Sequence, residues 1–229
     1  MNALLIAGTD TETGKTVLTT ALAAYWQQYC QPRKLGLMKP IQAGVGDREL
    51  YAQLFDLEQS PTEMTPLFFA APLAPPIAAE REGRRVELEQ VWHVFERLRR
   101  QKDWVLIESL GGLGSPISHE TTVADLAWDW RLPTVLVVPV KLGAIAQAVA
   151  NVALARQARI HLKGIVLNCI RPSSASEVAA WAPVKLIQNL TNTPVLGCIP
   201  HLPDPTDLAK LAQVASNLEI ERLLPIFNT

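Results

Sequence analysis

The first sixteen residues read MNALLIAGTDTETGKT (Met1–Thr16), and the rest of the chain can be placed around them. Ala3-Leu4-Leu5-Ile6-Ala7 is apolar and too brief for a helix, which predicts a buried strand. The run empties into a polar turn, Gly8 to Thr13, and then into Gly14-Lys15-Thr16. Beyond it Val17, Leu18, Ala21, Leu22 and Tyr25 recur at helical spacing, so a helix begins at or near Gly14. Strand, glycine-bearing loop, Gly-Lys-Thr and helix, in that order, make a phosphate-binding loop. A helix start leaves backbone N–H groups unpaired and carries partial positive charge, which suits phosphate. Lys15 adds a full charge near the outer phosphates, and the Thr16 hydroxyl can ligate magnesium. Five residues separate Gly8 from Gly14 where the common pattern has four, so Thr9 stands where the first glycine usually stands. Asp10 and Glu12 also make the loop acidic. The competing reading is an ordinary turn capped by Thr13, with Lys15 on a solvated helix face. The strand before and the helix after favour nucleotide phosphate binding.

At 229 residues the chain can bury a substantial core. With 21 basic against 22 acidic residues, no basic field points to nucleic acid or anionic lipid. Cys30, Cys169 and Cys198 are odd in number and lack paired spacing, which predicts reduced thiols in a cytoplasmic protein rather than a zinc site. No basic region precedes the N-terminal apolar run, so no signal peptide is expected. The apolar tract from Leu132 to Leu154 is broken by Pro133, Pro139 and Lys141, and reads as a strand and a helix, not a membrane span.

Leu35-Gly36-Leu37-Met38 predicts a second strand, ending at Lys39-Pro40 and a glycine-containing loop that reaches Asp47. Lys39 there either meets a ligand or is a solvated lysine before a turn, and Asp47 can cap the next helix. Ser60 to Pro76 is dense in proline and reads as extended or looped, with Leu67, Phe68, Phe69, Leu73 and Ile77 needing burial. Glu80 to Arg85 reads as a solvated face. A helix is predicted from about Glu87 to Arg100, with Leu88, Val91, Trp92, Phe95 and Leu98 as its apolar stripe. Trp104-Val105-Leu106-Ile107 predicts a strand ending in Glu108, a position where an acid holds magnesium. An unpaired carboxylate there is costly to desolvate, and the phosphate loop upstream favours a metal over a structural salt bridge. Further strands are expected at Thr134–Val138, Gly164–Leu167 and Val195–Ile199. Helices are expected after Lys141-Leu142-Gly143 to about Gln157, around Val178 to Asn189, interrupted or started near Pro183, and, as one helix or more, from roughly Asp207 to Leu224. Strands alternating with helices predict a parallel sheet covered on both faces. Lys39, Glu108, Lys141, Asn168 and Pro200-His201 all fall at carboxyl ends of strands, the rim where open sheets bind ligands.

These segments resemble the dethiobiotin synthetase family, ATP-dependent enzymes that close the ureido ring in biotin synthesis. The resemblance runs nearly end to end. It rests on GTDTETGKT (Gly8–Thr16), MKPIQAG (Met38–Gly44), Asp47, IESLGG (Ile107–Gly112), VKLG (Val140–Gly143), VLN (Val166–Asn168) and GCIP (Gly197–Pro200). It implies one P-loop NTPase-like α/β domain over residues 1–229, with a mostly parallel sheet and helices on both faces. It also implies a homodimer with its site near the subunit interface, using ATP, Mg2+, carbon dioxide and 7,8-diaminopelargonic acid.

Under the resemblance, Glu12, Thr13, Gly14, Lys15, Thr16 and Val17 wrap the ATP phosphates, and Thr16, Asp47 and Glu108 hold magnesium. Lys15 and Lys39 are the catalytic pair, neutralising charge around a substrate carbamate and the γ-phosphate. Asn168 reads the adenine edge, with Cys169, Pro200, His201 and Leu202 about the base and Gly111 completing the nucleotide set. Thr11, Lys39, Ala43, Leu142 and Gly143 meet the substrate; the helix start at Lys141–Gly143 reaches across the dimer to its carboxylate. Two positions depart from the family pattern: Ala43 replaces a serine or threonine, and Ser109-Leu110 replace Gly-Ala. The implied reaction is carbamate formation on one amine, phosphoryl transfer to give a mixed anhydride, and ring closure by the other amine. Two other classes fit the same fold: a nucleotide switch or partition-type ATPase, and another ATP-dependent ligase of cofactor synthesis. Switch ATPases with variant loops often carry an extra lysine early in the loop, and Gly8 to Thr13 contains none.

Overall fold

Successive side chains of the first strand, β1 (Ala3–Gly8), point to opposite faces, and both faces are buried. A computed structural model describes residues 2–225. The elements that follow β1 are α1 (Lys15–Tyr29), β2 (Leu35–Met38), β3 (Ile41–Ala43), α2 (Asp47–Leu54), α3 (Pro61–Met64), β4 (Leu67–Phe69) and α4 (Pro75–Arg81). Then come α5 (Leu88–Gln101), β5 (Trp104–Gly112), α6 (Val123–Asp129), β6 (Thr134–Pro139), α7 (Ala144–Gln157) and β7 (Leu162–Asn168). The described chain closes with α8 (Ala175–Trp181), α9 (Val184–Thr191), β8 (Val195–Ile199), α10 (Leu208–Ser216) and a 3-10 turn at Ile220–Arg222.

Six strands form one sheet in the order β2-β5-β1-β6-β7-β8, and every pairing in it is parallel. Ala3, Leu5 and Ala7 pack with Val91, Phe95 and Leu98 of α5, Ala124 of α6 and Ala148 and Val152 of α7. Leu4 and Ile6 pack on the other face with Leu18, Leu22 and Trp26 of α1 and Leu211 and Ala215 of α10. Trp26 and Trp104 lie fully buried with ring centroids 4.9 Å apart; truncating either to alanine would cost about 3–5 kcal/mol. The expected P-loop-type α/β architecture, a parallel sheet with helices on both faces, is the one observed. Among the described residues, no helix is long and apolar enough to cross a membrane.

Three local expectations differ from the structure. Ser60–Pro76 is not simply extended: Ser60 caps α3, Leu67–Phe69 pairs in parallel with Ile41–Ala43 as a small second sheet, and Pro75 opens α4. Proline suits these places because a first helical turn has no use for its missing N–H. The strand at Trp104 runs on through Glu108 to Gly112. Helix α6 was not foreseen; Thr122 and Asp125 close a capping box at its start, with Asp125 Oδ2 accepting from Thr122 N at 2.8 Å.

Register brings the rim together. Ile6 lies opposite Glu108, Met38 opposite Ile107, Gly8 opposite Val137, and Pro139 opposite Asn168. The ends of β2, β5, β1, β6 and β7 therefore surround the loop that follows β1.

Candidate functional site

Helix α1 starts from Gly14, which holds the left-handed conformation (φ 93°, ψ 27°) that L side chains rarely adopt. A Cβ on Gly14 would also lie 1.9 Å from Asn168 Nδ2, so the loop closes over Asn168 only with glycine there. Asn168 Nδ2 donates to the Thr13 carbonyl at 3.0 Å, tying β7 to the loop. A Cβ on Gly8 would meet Thr13 Oγ1 at 2.4 Å, which lets Thr13 fold back over the strand end. Thr13 caps nothing: its hydroxyl is buried without a hydrogen-bond partner, so the ordinary-turn reading fails there. Lys15 is buried rather than solvated and donates to the Asp10 carbonyl at 2.9 Å. Burial outweighs the attraction of Glu108 and, with repulsion from Lys39, lowers the Lys15 pKa.

Across the cleft, Lys39 leaves β2 beside β5 and points its ammonium between two carboxylates. Lys39 Nζ lies 2.7 Å from Asp47 Oδ2 and 2.7 Å from Glu108 Oε1, and donates to the Ser109 carbonyl at 3.1 Å. Lys39 is 5% exposed and Glu108 1%, so this is an ion pair inside the protein. Burial would lower the Lys39 pKa, but Glu108 and Asp47 outweigh it and raise it. Burial would likewise raise the Asp47 pKa, and Lys39 and the Thr16 hydroxyl outweigh it and lower it. Thr16 Oγ1 lies 3.0 Å from Asp47 Oδ1 and 3.1 Å from Glu108 Oε1. Asp47 is the first residue of α2, not its cap; Glu49 Oε2 instead accepts from Gly46 N at 2.9 Å. The salt bridge weighed against a metal at Glu108 is thus present.

Thr11, Glu12, Gly14, Lys15, Thr16, Lys39, Ala43, Asp47, Glu108 and Gly111 all line one cleft of about 680 Å³. Ile41, Pro72, Leu73, Pro75, Leu110 and Pro116 give it an apolar part. Thr13 and Asn168 sit behind the loop, and Val17 is half-buried in α1. Cys169, Pro200, His201 and Leu202 gather at the ends of β7 and β8, outside the cleft lining, where Cys169 N donates to the Ile199 carbonyl. Cys169 and Cys198 are free thiols with sulfurs 3.8 Å apart. Leu142 and Gly143 also lie outside the lining, and Leu142 is 85% exposed.

Sequence reasoning missed Thr19 and Tyr51. Thr19 Oγ1 donates to Glu108 Oε2 at 3.1 Å, and the fully buried Tyr51 hydroxyl donates to the same oxygen. Burial, with the charges of Glu108 and Asp47, pushes the Tyr51 phenol well above its usual pKa, so it stays a donor. The spacing of Asp47 and Tyr51 at i, i+4 was the available signal: both must share one face of α2.

The donor set suits a polyphosphate with a hard cation. Two ammonium groups and the first turn of α1 face one cleft, and Thr13 keeps an unspent buried hydroxyl. No group of three or more His, Cys, Asp or Glu side chains able to hold a metal occurs among the described residues. Two carboxylates and a threonine hydroxyl nevertheless fit magnesium, which takes one or two carboxylates and completes its shell with phosphate and water oxygens.

The AAA domain family matches residues 2–208. ATP-dependent dethiobiotin synthetase BioD of Gloeothece citriformis is 59% identical over 226 residues, covering 99% of this chain and 100% of that protein. The protein of the same name from Crocosphaera subtropica is 55% identical, covering 97% and 100%. Among solved structures, the septum site-determining protein MinD from Pyrococcus horikoshii, complexed with Mg-ADP, aligns with TM-score 0.61 at 17% identity, covering 97% of this chain and 96% of that one. That likeness carries the fold alone. With such identity over nearly its whole length, the chain belongs to the ATP-dependent dethiobiotin synthetase family.

Proposed function

We propose that this enzyme joins carbon dioxide to 7,8-diaminopelargonic acid and closes the ureido ring of dethiobiotin, spending ATP with magnesium. The observation that carries this reading is the pair Lys15 and Lys39 in one cleft with Thr16, Asp47 and Glu108. A carbamate and a γ-phosphate are both anions, and two ammonium groups between them lower the cost of bringing them together. Glu12 to Val17 would hold the phosphates, and Thr16, Asp47 and Glu108 the magnesium, which spreads charge on the phosphoryl group. Ile41, Leu73 and Leu110 give the methylene chain of the diamine an apolar wall. Asn168 keeps one amide N–H and its carbonyl oxygen for the adenine edge after serving Thr13, with Cys169, Pro200, His201 and Leu202 around the base.

Lys39 orients the carbamate and steadies the charge that develops as phosphate moves to it; the free amine then closes the ring by displacing phosphate. Leu142 and Gly143, exposed and away from the cleft of their own chain, serve the substrate carboxylate in a partner protomer's site. One domain spanning the chain and a homodimer complete the proposal.

The test is phosphate release with each substrate omitted in turn, together with mass detection of the ring-closed product. Turnover rises sharply only with the diamine and carbon dioxide both present. Full turnover without the diamine would overturn the reading and favour a switch ATPase.

A further inference from the structure

Helix α2 carries Asp47 into the cleft, yet Tyr51 is its single buried residue. Asp47 and Tyr51 lie on one helix face, so the contact that seats Tyr51 also sets where Asp47 stands. That contact is with Glu108. The four hydrogen bonds and ion contacts of the Glu108 carboxylate divide cleanly by oxygen. Oε1 takes Lys39 at 2.7 Å and Thr16 at 3.1 Å, on the cleft side. Oε2 takes Thr19 at 3.1 Å and the Tyr51 hydroxyl, both fully buried.

We propose that Tyr51 and Thr19 are positioning residues: they pin Glu108 Oε2 inside the protein, so that Glu108 offers only Oε1 to the cleft and α2 presents Asp47 at a fixed distance from it. The proposal rests on the metal and phosphate reading given above. Its physical basis is directional. A carboxylate free to rotate offers either oxygen, and averages over orientations a cation cannot use. One held by two buried donors is already arranged. Thr19 has one hydroxyl proton, shared between Glu108 Oε2 at 3.1 Å and the carbonyl of Lys15 at 2.9 Å. The same hydroxyl therefore joins the Glu108 anchor to the first turn of α1, where Lys15 and Thr16 stand.

The test is calorimetric binding of β,γ-imido ATP with and without Mg2+, which needs no turnover. In the native protein Mg2+ tightens the nucleotide. Tyr51→Phe keeps the ring and removes the donor; it is expected to lose roughly tenfold in Mg2+-dependent affinity, the scale of one hydrogen bond to a charged group. Metal-free affinity stays at the native value. Thr19→Val shows the same selective loss, and Thr19→Ser restores native binding. Should Tyr51→Phe fold poorly, the Thr19 pair decides the matter alone. Equal losses with and without metal, or native Mg2+-dependent binding in Tyr51→Phe and Thr19→Val, would overturn the positioning role. Native protein whose affinity ignores Mg2+ would instead remove the metal reading itself, and this proposal with it.

Discussion

Lys39 Nζ and Glu108 Oε1 stand 2.7 Å apart, both side chains almost fully buried. A buried pair of this kind adds little over an apolar pair, but removing one partner strands the other charge, at about 3–5 kcal/mol. Lys39→Ala is therefore expected to lose most turnover and also to unfold at markedly lower urea. Lys39→Met with Glu108→Gln should recover much of the stability and none of the activity. Denaturation curves of the single and double variants check this; equal midpoints for the two would refute it.

Glu49 contributes to stability in acid from the start of α2. The Gly46 N–H holds its carboxylate, with Gln42 and Arg48 adding to that, and its pKa is about 2 against an ordinary 4.5. The folded value lies below the unfolded one, so its stabilisation is fully present above pH 4.5 and is lost as pH falls toward 2. Unfolding free energies of native protein and Glu49→Gln should differ by a constant amount above that window and converge within it.

Asn168→Ala removes the tie to the Thr13 carbonyl and the amide proposed to read the base. ATP affinity should fall roughly tenfold, and the preference for ATP over GTP should narrow. A competition assay separates the two roles: equal weakening for both nucleotides would leave Asn168 as a loop anchor only. Gly14→Ala is expected to be worse, since it adds left-handed strain of about 1–2 kcal/mol to a clash with that same amide.

Mixing two inactive variants tests the proposed dimer. Lys15→Ala spoils a protomer's own loop, and Leu142→Asp spoils what it lends to its partner. Subunit exchange should restore about a quarter of the sites, because one site in each mixed dimer has both contributions intact. Phosphate release that stays at zero after exchange would show that each chain completes its own site.

Much of this arrangement was legible because its signals are local. The strand, loop and helix of residues 3–29 follow from a short apolar run, two glycines and helical spacing, and Lys39, Glu108 and Asn168 stand out as polar residues after apolar strands. What the sequence hid depends on distant partners. Nothing near Tyr51 announces that Glu108, 57 positions on, accepts a hydrogen bond from its hydroxyl. The three-residue strands β3 and β4 are too short to show alternation, and Lys39 reads as a ligand-facing cation until register places it between two acids.

The strand order has a consequence for how the chain comes into being. β1 is the third strand across the sheet but the first made, and its neighbours β5 and β6 begin at Trp104 and Thr134. On the ribosome the apolar stretch Ala3–Ala7 must therefore wait, unpaired on both edges until β5 is made and on one edge until β6 follows. Residue pairings so far apart in sequence make for slow acquisition of structure and a long window of vulnerability to aggregation. The β1 segment thus gains its second edge only after Thr134–Pro139 is made, and a nascent chain stalled before Pro139 should bind no nucleotide.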